Sequence, residues 1–145
     1  ILAPIDVAST DLGWLAYLER LASRLETTIA LVHVVRPPRF VNQLGPESAA
    51  RLPELIRELL EGATETLRQR VKEAGLEHVS LRVLEGEDPV EVILEEARQL
   101  DVDLIAMPAH QKSPLERLVV GSTTEKLARR SNRPLLLFPP GFSKG

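Results

Sequence analysis

Residues 79–107 read VSLRVLEGEDPVEVILEEARQLDVDLIAM and contain the pattern that decides the fold. Branched apolar residues at both ends of this stretch are typical of strands. The segment between them predicts a helix, because Asp88 can serve as its N-cap, Pro89 suits its first position and Glu91 can complete a capping box. Two strands joined by a helix predict a βαβ unit and therefore a parallel sheet.

The same alternation of strand and helix patterns runs through the rest of the chain. Five apolar runs predict strands at residues 1–5, 29–35, 79–84, 102–107 and 135–138. Apolar residues at helical spacing predict helices at residues 12–25 and 52–74, and further helices that begin at 88 and at 122. Only the run 79–84 alternates cleanly between apolar and polar residues, which indicates a strand at an edge of the sheet. Residues 36–47 and 108–120 fit neither pattern and predict long loops, which are often functional.

The composition is that of an ordinary globular protein. A chain of 145 residues that is 43% apolar and 27% charged predicts one domain, spanning residues 1–145. The net charge of -3 does not offer the clustered basic residues that bind phosphate backbones, and 3% aromatic residues provide few surfaces for base stacking. We therefore expect no nucleic-acid partner.

Cysteine is absent, which excludes disulfides, cysteine nucleophiles and cysteine-bound metals within this chain. The three histidines, His33, His78 and His110, are scattered without the spacing of metal ligands, so we expect no metal site. No run approaches the roughly 18 apolar residues of a membrane helix, and the first residues do not resemble a signal peptide. We therefore expect no membrane partner and a cytoplasmic location.

A binding site is expected beyond the carboxyl ends of the strands, at the point where the strand order of an open parallel sheet reverses. Gly121, Ser122 and Thr123 open a predicted helix, where backbone N–H groups and the helix dipole favour an anion such as phosphate. The alternative is purely structural, with Ser122 as a helix cap and Gly121 as a turn residue. This segment alone leaves both interpretations open.

Six short motifs, distributed over essentially the whole chain, carry a resemblance to a known family. They are Ile1-Leu2-Ala3-Pro4-Ile5-Asp6, Leu31-Val32-His33-Val34-Val35, Glu85-Gly86-Glu87-Asp88-Pro89, Asp103-Leu104-Ile105-Ala106-Met107, Gly121-Ser122-Thr123-Thr124-Glu125-Lys126 and Arg133-Pro134-Leu135. In these motifs the chain resembles the universal stress protein family, which belongs to the adenine-nucleotide-binding α/β folds. The resemblance implies a Rossmann-like, open five-stranded parallel sheet with helices on both faces and the strand order 3-2-1-4-5. That order places the switch point between the first and fourth strands.

The resemblance also implies residues of a nucleotide site at this switch point. Asp6 matches the family carboxylate that contacts ribose or base, and Val34 matches a position that contacts adenine. Pro4 and Met107 match positions that line the same pocket. The structural alternative for Asp6 is a polar strand end that caps the first helix.

The glycine motif of ATP-binding family members is only partly present. The motif consists of Gly, two residues, Gly, nine residues, and then Gly followed by Ser or Thr, and the aligned residues here are Pro108, Gln111, Gly121 and Ser122. Pro108 removes a backbone N–H donor, and Gln111 adds a side chain where the backbone would approach phosphate. Lys112 lies in the same loop and could pair with phosphates, although an exposed surface charge is the alternative. The sequence therefore predicts weak or lost ATP binding.

Three functional hypotheses follow. We favour a stress-response homodimer with a regulatory role, in which the altered loop leaves a scaffold for an unidentified protein partner. In the second hypothesis the chain is a sensor that binds ATP or another adenine nucleotide, with Mg²⁺, through the residues named above. The third, a slow ATPase, lacks an identifiable base, so we assign no catalytic residue. The resemblance implies that a homodimer forms through the final strand, Leu135–Phe138, whose uncovered edge invites pairing.

Overall fold

The computed structural model describes residues 1–9, 11–39, 43–109, 121–139 and 141–142. The strands are β1 (Leu2–Pro4), β2 (Ile29–Val35), β3 (Val79–Glu85), β4 (Ile105–Pro108) and β5 (Leu135–Phe138). The helices are α1 (Gly13–Arg24), α2 (Pro46–Ala50), α3 (Leu52–Glu73), α4 (Pro89–Gln99) and α5 (Ser122–Arg130). Within these ranges, no helix has both the length and the apolar character needed to cross a membrane.

The strands form one parallel sheet in the order β3-β2-β1-β4-β5, which confirms the order implied by the family resemblance. β1 lies in the middle, and its residue Leu2 is opposite Ala30 of β2 on one side and Ile105 of β4 on the other. The chain moves from β1 outward to β3 and then returns past β1 to β4 and β5. The strand order therefore reverses between β1 and β4.

Helices cover both faces of this sheet, as expected, and each face has its own apolar core. On one face, Leu15 and Leu18 of α1 and Leu67 of α3 pack against the strands. On the other face, Ile93 of α4 and Leu127 of α5 pack in the same way. Each of these five side chains is at most 4% exposed, so each contributes about 1.5–3 kcal/mol relative to an exposed position.

β3 lies at an edge of the sheet, which confirms the interpretation of its alternating sequence. It is paired along its whole length with β2, from Val79 opposite Ile29 to Glu85 opposite Val35. Its other edge has no strand partner in the described part of the chain. A strand in this position needs an apolar side only toward the core, which explains the alternation.

The predicted strand at residues 102–107 began too early, since β4 begins at Ile105. The chain first has to end α4, and it does so with Asp101 in the left-handed region at a φ of 47°. The N–H of Val102 donates to the carbonyl of Ala97 at 3.1 Å, and the N–H of Asp101 donates to the carbonyl of Arg98 at 3.2 Å. These are the two bonds of a Schellman motif. Val102 is therefore part of the helix end, although it is as apolar as a strand residue.

Gly86, in the turn between β3 and α4, is required by a close approach of the two elements. A Cβ atom at this position would lie closer than 3.0 Å to Cγ2 of Val92 in α4. Val92 is branched at Cβ and has little rotamer freedom in a helix, so it cannot easily move aside. The absence of a side chain at Gly86 thus allows α4 to lie directly against the end of β3.

The two predicted helix caps differ in outcome. Asp88 is confirmed as the N-cap of α4, because its Oδ1 accepts the N–H of Val90 at 3.0 Å. The capping box is wrong in its second half, since the carboxylate of Glu91 pairs with Arg130 of α5 and ties the two helices together. The interpretation of Ser122 as the cap of α5 is also wrong. Gly121 occupies the N-cap position, with extended backbone and no side-chain cap bond, and Ser122 is the first helical residue.

This difference predicts opposite results for two matched substitutions. Asp88→Ala should lower the free energy of unfolding by about 1 kcal/mol, because it leaves a first-turn N–H of α4 without its acceptor. Ser122→Ala should change the free energy of unfolding by less than about 0.5 kcal/mol, because no capping bond is lost. Urea denaturation of both variants measures the two values. A loss of equal size in both variants would contradict the assignment of Gly121 as the cap.

Candidate functional site

A cleft of about 330 Å³ opens at the carboxyl ends of β1, β2 and β4, where the strand order reverses. This volume is at the lower end of the range of roughly 300–1,000 Å³ that is typical of ligand pockets. The described residues that line the cleft come from β1, β2 and β4, from the segments after β1 and β2 and from the N-terminal halves of α1, α4 and α5. They are Pro4, Ile5, Asp6, Ser9, Trp14, Val32, His33, Val34, Arg36, Pro89, Ile93, Met107, Pro108 and Thr123.

The structure brings most of the predicted site residues together at this cleft. Pro4, Asp6, Val34, Met107 and Thr123 all line it. Gly121 and Ser122 immediately precede Thr123 in the chain and belong to the N-terminal end of α5.

The remaining predictions fall on residues 110–120. Lys112, the predicted phosphate partner, lies outside the described residues, as does Gln111 of the glycine motif. His110, one of the histidines already considered, also lies outside them.

One wall of the cleft is apolar. Val32, Ile93 and Met107 belong to the core on the α4 and α5 face, and Val34 packs against that core. Pro4 is buried at the end of β1 beside them. The cleft is therefore an opening at the end of a packed core, and its wall suits a flat, largely apolar group such as a purine ring.

Asp6 introduces a negative charge at the mouth of the cleft. Its Oδ1 accepts the N–H of Ala8 at 2.9 Å, and its backbone carbonyl accepts the N–H of Ser9 at 3.0 Å. Asp6 therefore closes a turn within its own segment, and the alternative that it caps the first helix is wrong, because α1 begins only at Gly13. The carboxylate has a second oxygen that this turn does not use. That exposed oxygen can accept hydrogen bonds from a ligand hydroxyl.

The end of β4 offers few backbone donors to a ligand. Pro108 lines the cleft and, as proline, has no N–H group. The next residue, Ala109, donates its N–H to the carbonyl of Phe138 in β5 at 2.7 Å. Neither of these two residues can therefore donate a backbone hydrogen bond to phosphate.

The N-terminal end of α5 has the opposite character. Because its N-cap is Gly121, no cap side chain occupies the N–H groups of the first turn. Thr123 faces the cleft from this turn, and the buried hydroxyl of Thr124 contacts Sδ of Met107 at 3.8 Å. The end of α5 thus places the N–H groups of a helix start next to the apolar wall, an arrangement that favours a single anionic group.

Several lining residues were not predicted as part of the site. Trp14 falls in the predicted helix at residues 12–25 and was not named as a site residue, yet it is buried and also lines the cleft. Pro89 and Ile93 line it from α4. A usable signal existed, because helices that follow parallel strands begin at the carboxyl edge of the sheet, so their first turns lie beside a ligand. His33 is held by a contact of 3.0 Å between its Nδ1 and the carbonyl of Ile5, which no sequence pattern indicated.

The cleft contains few charged groups. Among its described lining residues, Asp6 is the only carboxylate and Arg36 is the only arginine or lysine. No group of three or more His, Asp or Glu side chains suited to a metal ion occurs among the residues that the structure describes. Magnesium is usually held by one or two carboxylates together with substrate phosphates, and the described lining offers it one carboxylate, that of Asp6.

A second cavity, of about 630 Å³, is larger but lies away from the reversal of the strand order. Its lining residues come from the segment after β2, the start of α3 and the end of β3, and include Arg39, Ile56 and Glu87. None of the predicted site residues that the structure describes lines it. The cleft between β1 and β4 is therefore the candidate site.

Comparison with known proteins places the chain in one family. Residues 1–139 match the model of the universal stress protein family. A universal stress protein of Methanocaldococcus jannaschii is 26% identical over 137 residues, which cover 94% of this chain and 79% of that protein. A solved structure of another protein of that organism has a TM-score of 0.71 at 25% identity and covers 95% of this chain and 94% of that chain.

A third comparison involves a bound nucleotide. The universal stress protein of Archaeoglobus fulgidus, solved in complex with dAMP, has a TM-score of 0.57 at 16% identity. The similarity covers 94% of each chain and reflects the shared fold. Together with the family match over nearly the whole sequence, these similarities show that the chain belongs to the universal stress protein family.

Proposed function

We propose that the chain is a stress-response protein with a regulatory role that binds adenine nucleotides mainly through their nucleoside part. The observation that carries this proposal is the contrast between the two halves of the cleft. The apolar wall and Asp6 suit a nucleoside, whereas the end of β4 has no backbone N–H free for a phosphate chain at Pro108 or Ala109. The stress-response role is proposed from the family to which the chain belongs.

In this proposal the purine ring packs against the apolar wall. Pro4, Val34 and Met107 provide its contacts, and all three line the cleft from adjacent strands. Asp6 accepts hydrogen bonds from the ribose hydroxyls through the oxygen that its own turn does not use. Charge-assisted hydrogen bonds of this kind are stronger than neutral ones and would select a ribose over a bare base.

One phosphate is proposed to bind at the start of α5. Gly121, Ser122 and Thr123 supply the first-turn N–H groups of a nine-residue helix, and two of them add hydroxyl donors. The similarity to the Archaeoglobus protein supports this arrangement, since dAMP carries a single phosphate. Lys112, predicted from the sequence as a phosphate partner, is assigned no further phosphate in this proposal. If Mg²⁺ accompanies the phosphate, Asp6 is the one carboxylate among the described lining residues that could hold it.

Titration of the nucleotide-free protein with adenosine, AMP, ADP and ATP tests this proposal. Trp14 is the only tryptophan of the chain and lines the cleft, so its fluorescence should report binding directly. We expect AMP to bind more tightly than adenosine. ATP should bind within about threefold of AMP, a difference of only about 0.7 kcal/mol, because Pro108 and Ala109 offer no backbone N–H to its additional phosphates. ATP that binds more than about tenfold tighter than AMP would contradict the proposal. If none of the four ligands binds at millimolar concentration, the proposed nucleotide binding is wrong, and the hypothesis of a scaffold for a protein partner remains.

A pair of variants in one segment tests the role of Asp6. Asp6→Ala should weaken AMP binding by about tenfold, because it removes both the ligand acceptor and the turn. Asp11→Ala is the matched control, since Asp11 carries the same charge in the same segment and is not among the described lining residues. We expect it to leave the affinity within about twofold of the original value.

We also propose that the chain forms a homodimer through β5. β5 lies at an edge of the sheet, and its exposed residue Leu137 is 36% accessible. Nearby, the exposed rings of Tyr17 and Phe142 contact each other with centroids 5.2 Å apart, and both rings contact Phe138 of β5. An apolar surface beside a strand edge that has no partner within the described residues supports pairing with a second copy.

Leu137→Lys should disrupt this dimer, because it introduces a repelling charge in each copy at the edge. Leu25→Lys is the control, since Leu25 is 61% exposed and lies at the end of α1. Analytical ultracentrifugation should show a dissociation constant raised at least about tenfold by the first substitution and unchanged by the second. A monomeric original protein, or a dimer that tolerates Leu137→Lys, would contradict the proposed interface.

A further inference from the structure

Arg70, in the last turn of α3, reaches across to the segment between β1 and α1. Its Nη1 donates to the backbone carbonyl of Ser9, which is 61 residues away in the sequence. Its side chain is half-buried, whereas Lys72 in the same turn is exposed. The ion pairs found on α3 within the described residues join Arg57 and Arg68 to glutamates and do not include Arg70.

The segment that Arg70 contacts has little apolar anchoring of its own. Of residues 6–9, only Val7 packs against the core, and Asp6 and Ala8 are exposed. The turn is closed internally, by Ala8 and Ser9 donating to the side chain and the carbonyl of Asp6. These bonds define the shape of the turn but do not fix its place relative to the sheet. Within the described residues, one hydrogen bond joins Ser9 to another element, and Arg70 donates it.

We propose that Arg70 is a positioning residue for the nucleotide cleft. By holding the carbonyl of Ser9, the guanidinium fixes the turn at residues 6–9. This turn orients the carboxylate of Asp6 at the mouth of the cleft. A planar guanidinium suits this task because its donors are fixed in direction. The consequence for nucleotide affinity rests on the proposed function, whereas the anchoring of the turn does not.

Amide hydrogen exchange of the ligand-free protein tests the anchoring. In Arg70→Met, the amides of Ala8 and Ser9 should exchange at least about tenfold faster, while the core of α3 exchanges as before. In Arg70→Lys, the exchange rates of these amides should lie between those of the original protein and those of Arg70→Met, because lysine keeps the charge and a donor but lacks the planar fork. Lys72→Met is the matched control for the lost charge in the last turn of α3 and should leave both amides unchanged. Unchanged exchange in Arg70→Met, or equal acceleration in Lys72→Met, would overturn the proposal.

Titration with adenosine and with AMP tests the consequence for the cleft. Because a positioning residue acts on the nucleoside site, Arg70→Met should weaken both ligands by the same factor, about tenfold. Weakening of AMP alone would mean that Arg70 contacts the phosphate directly, and the positioning role would be wrong. If the original protein binds neither ligand, the proposed function fails, and the exchange measurement still decides whether Arg70 anchors the turn.

Discussion

The pairing of β1 with β2 on one side and β4 on the other is the constraint on which the rest of the structure depends. Connections between parallel strands are almost always right-handed. The chain moves from β1 through β2 to β3 in one direction across the sheet, and then returns past β1 to β4 and β5 in the other direction. Because the direction changes, right-handed connections place α1 and α3 on one face and α4 and α5 on the other. Beyond the carboxyl end of β1 the two sets of helices separate, and the cleft occupies the space between them.

The chemistry of the cleft follows from what each element contributes at this separation. The strand ends and α4 contribute an apolar wall, and the segment after β1 contributes the carboxylate of Asp6. The end of β4 contributes Pro108 and an Ala109 amide already bonded to β5, whereas α5 contributes the amides of its first turn, which the N-cap Gly121 leaves without a side-chain cap. One half of the site can therefore hold a nucleoside, and the other half offers one anion position. Under the proposed function, this division explains how an incomplete glycine motif is compatible with a nucleoside in the cleft.

Local patterns in the sequence predicted the types of the main elements because periodicity depends only on which side of an element is buried. The strand order was not available from those patterns and came from the family resemblance. Errors arose where two local structures favour the same residues. Val102 is apolar whether it belongs to a strand or to a Schellman motif, and Ser122 suits both an N-cap and the first helical position. The contact between Arg70 and Ser9 could not be predicted, because a side-chain bond across 61 residues leaves no periodic signal.

The most direct test of this account is to map bound AMP on the protein by changes in backbone amide chemical shifts. If the reversal between β1 and β4 creates the nucleotide site, the largest changes should occur at Asp6, Val34, Met107 and Thr123. The amides of Glu77 and His78, which bond to Glu19 before the start of β3 and therefore at the opposite end of the sheet, should not change. Largest changes at those two amides, or around the second cavity at Arg39 and Glu87, would contradict the account.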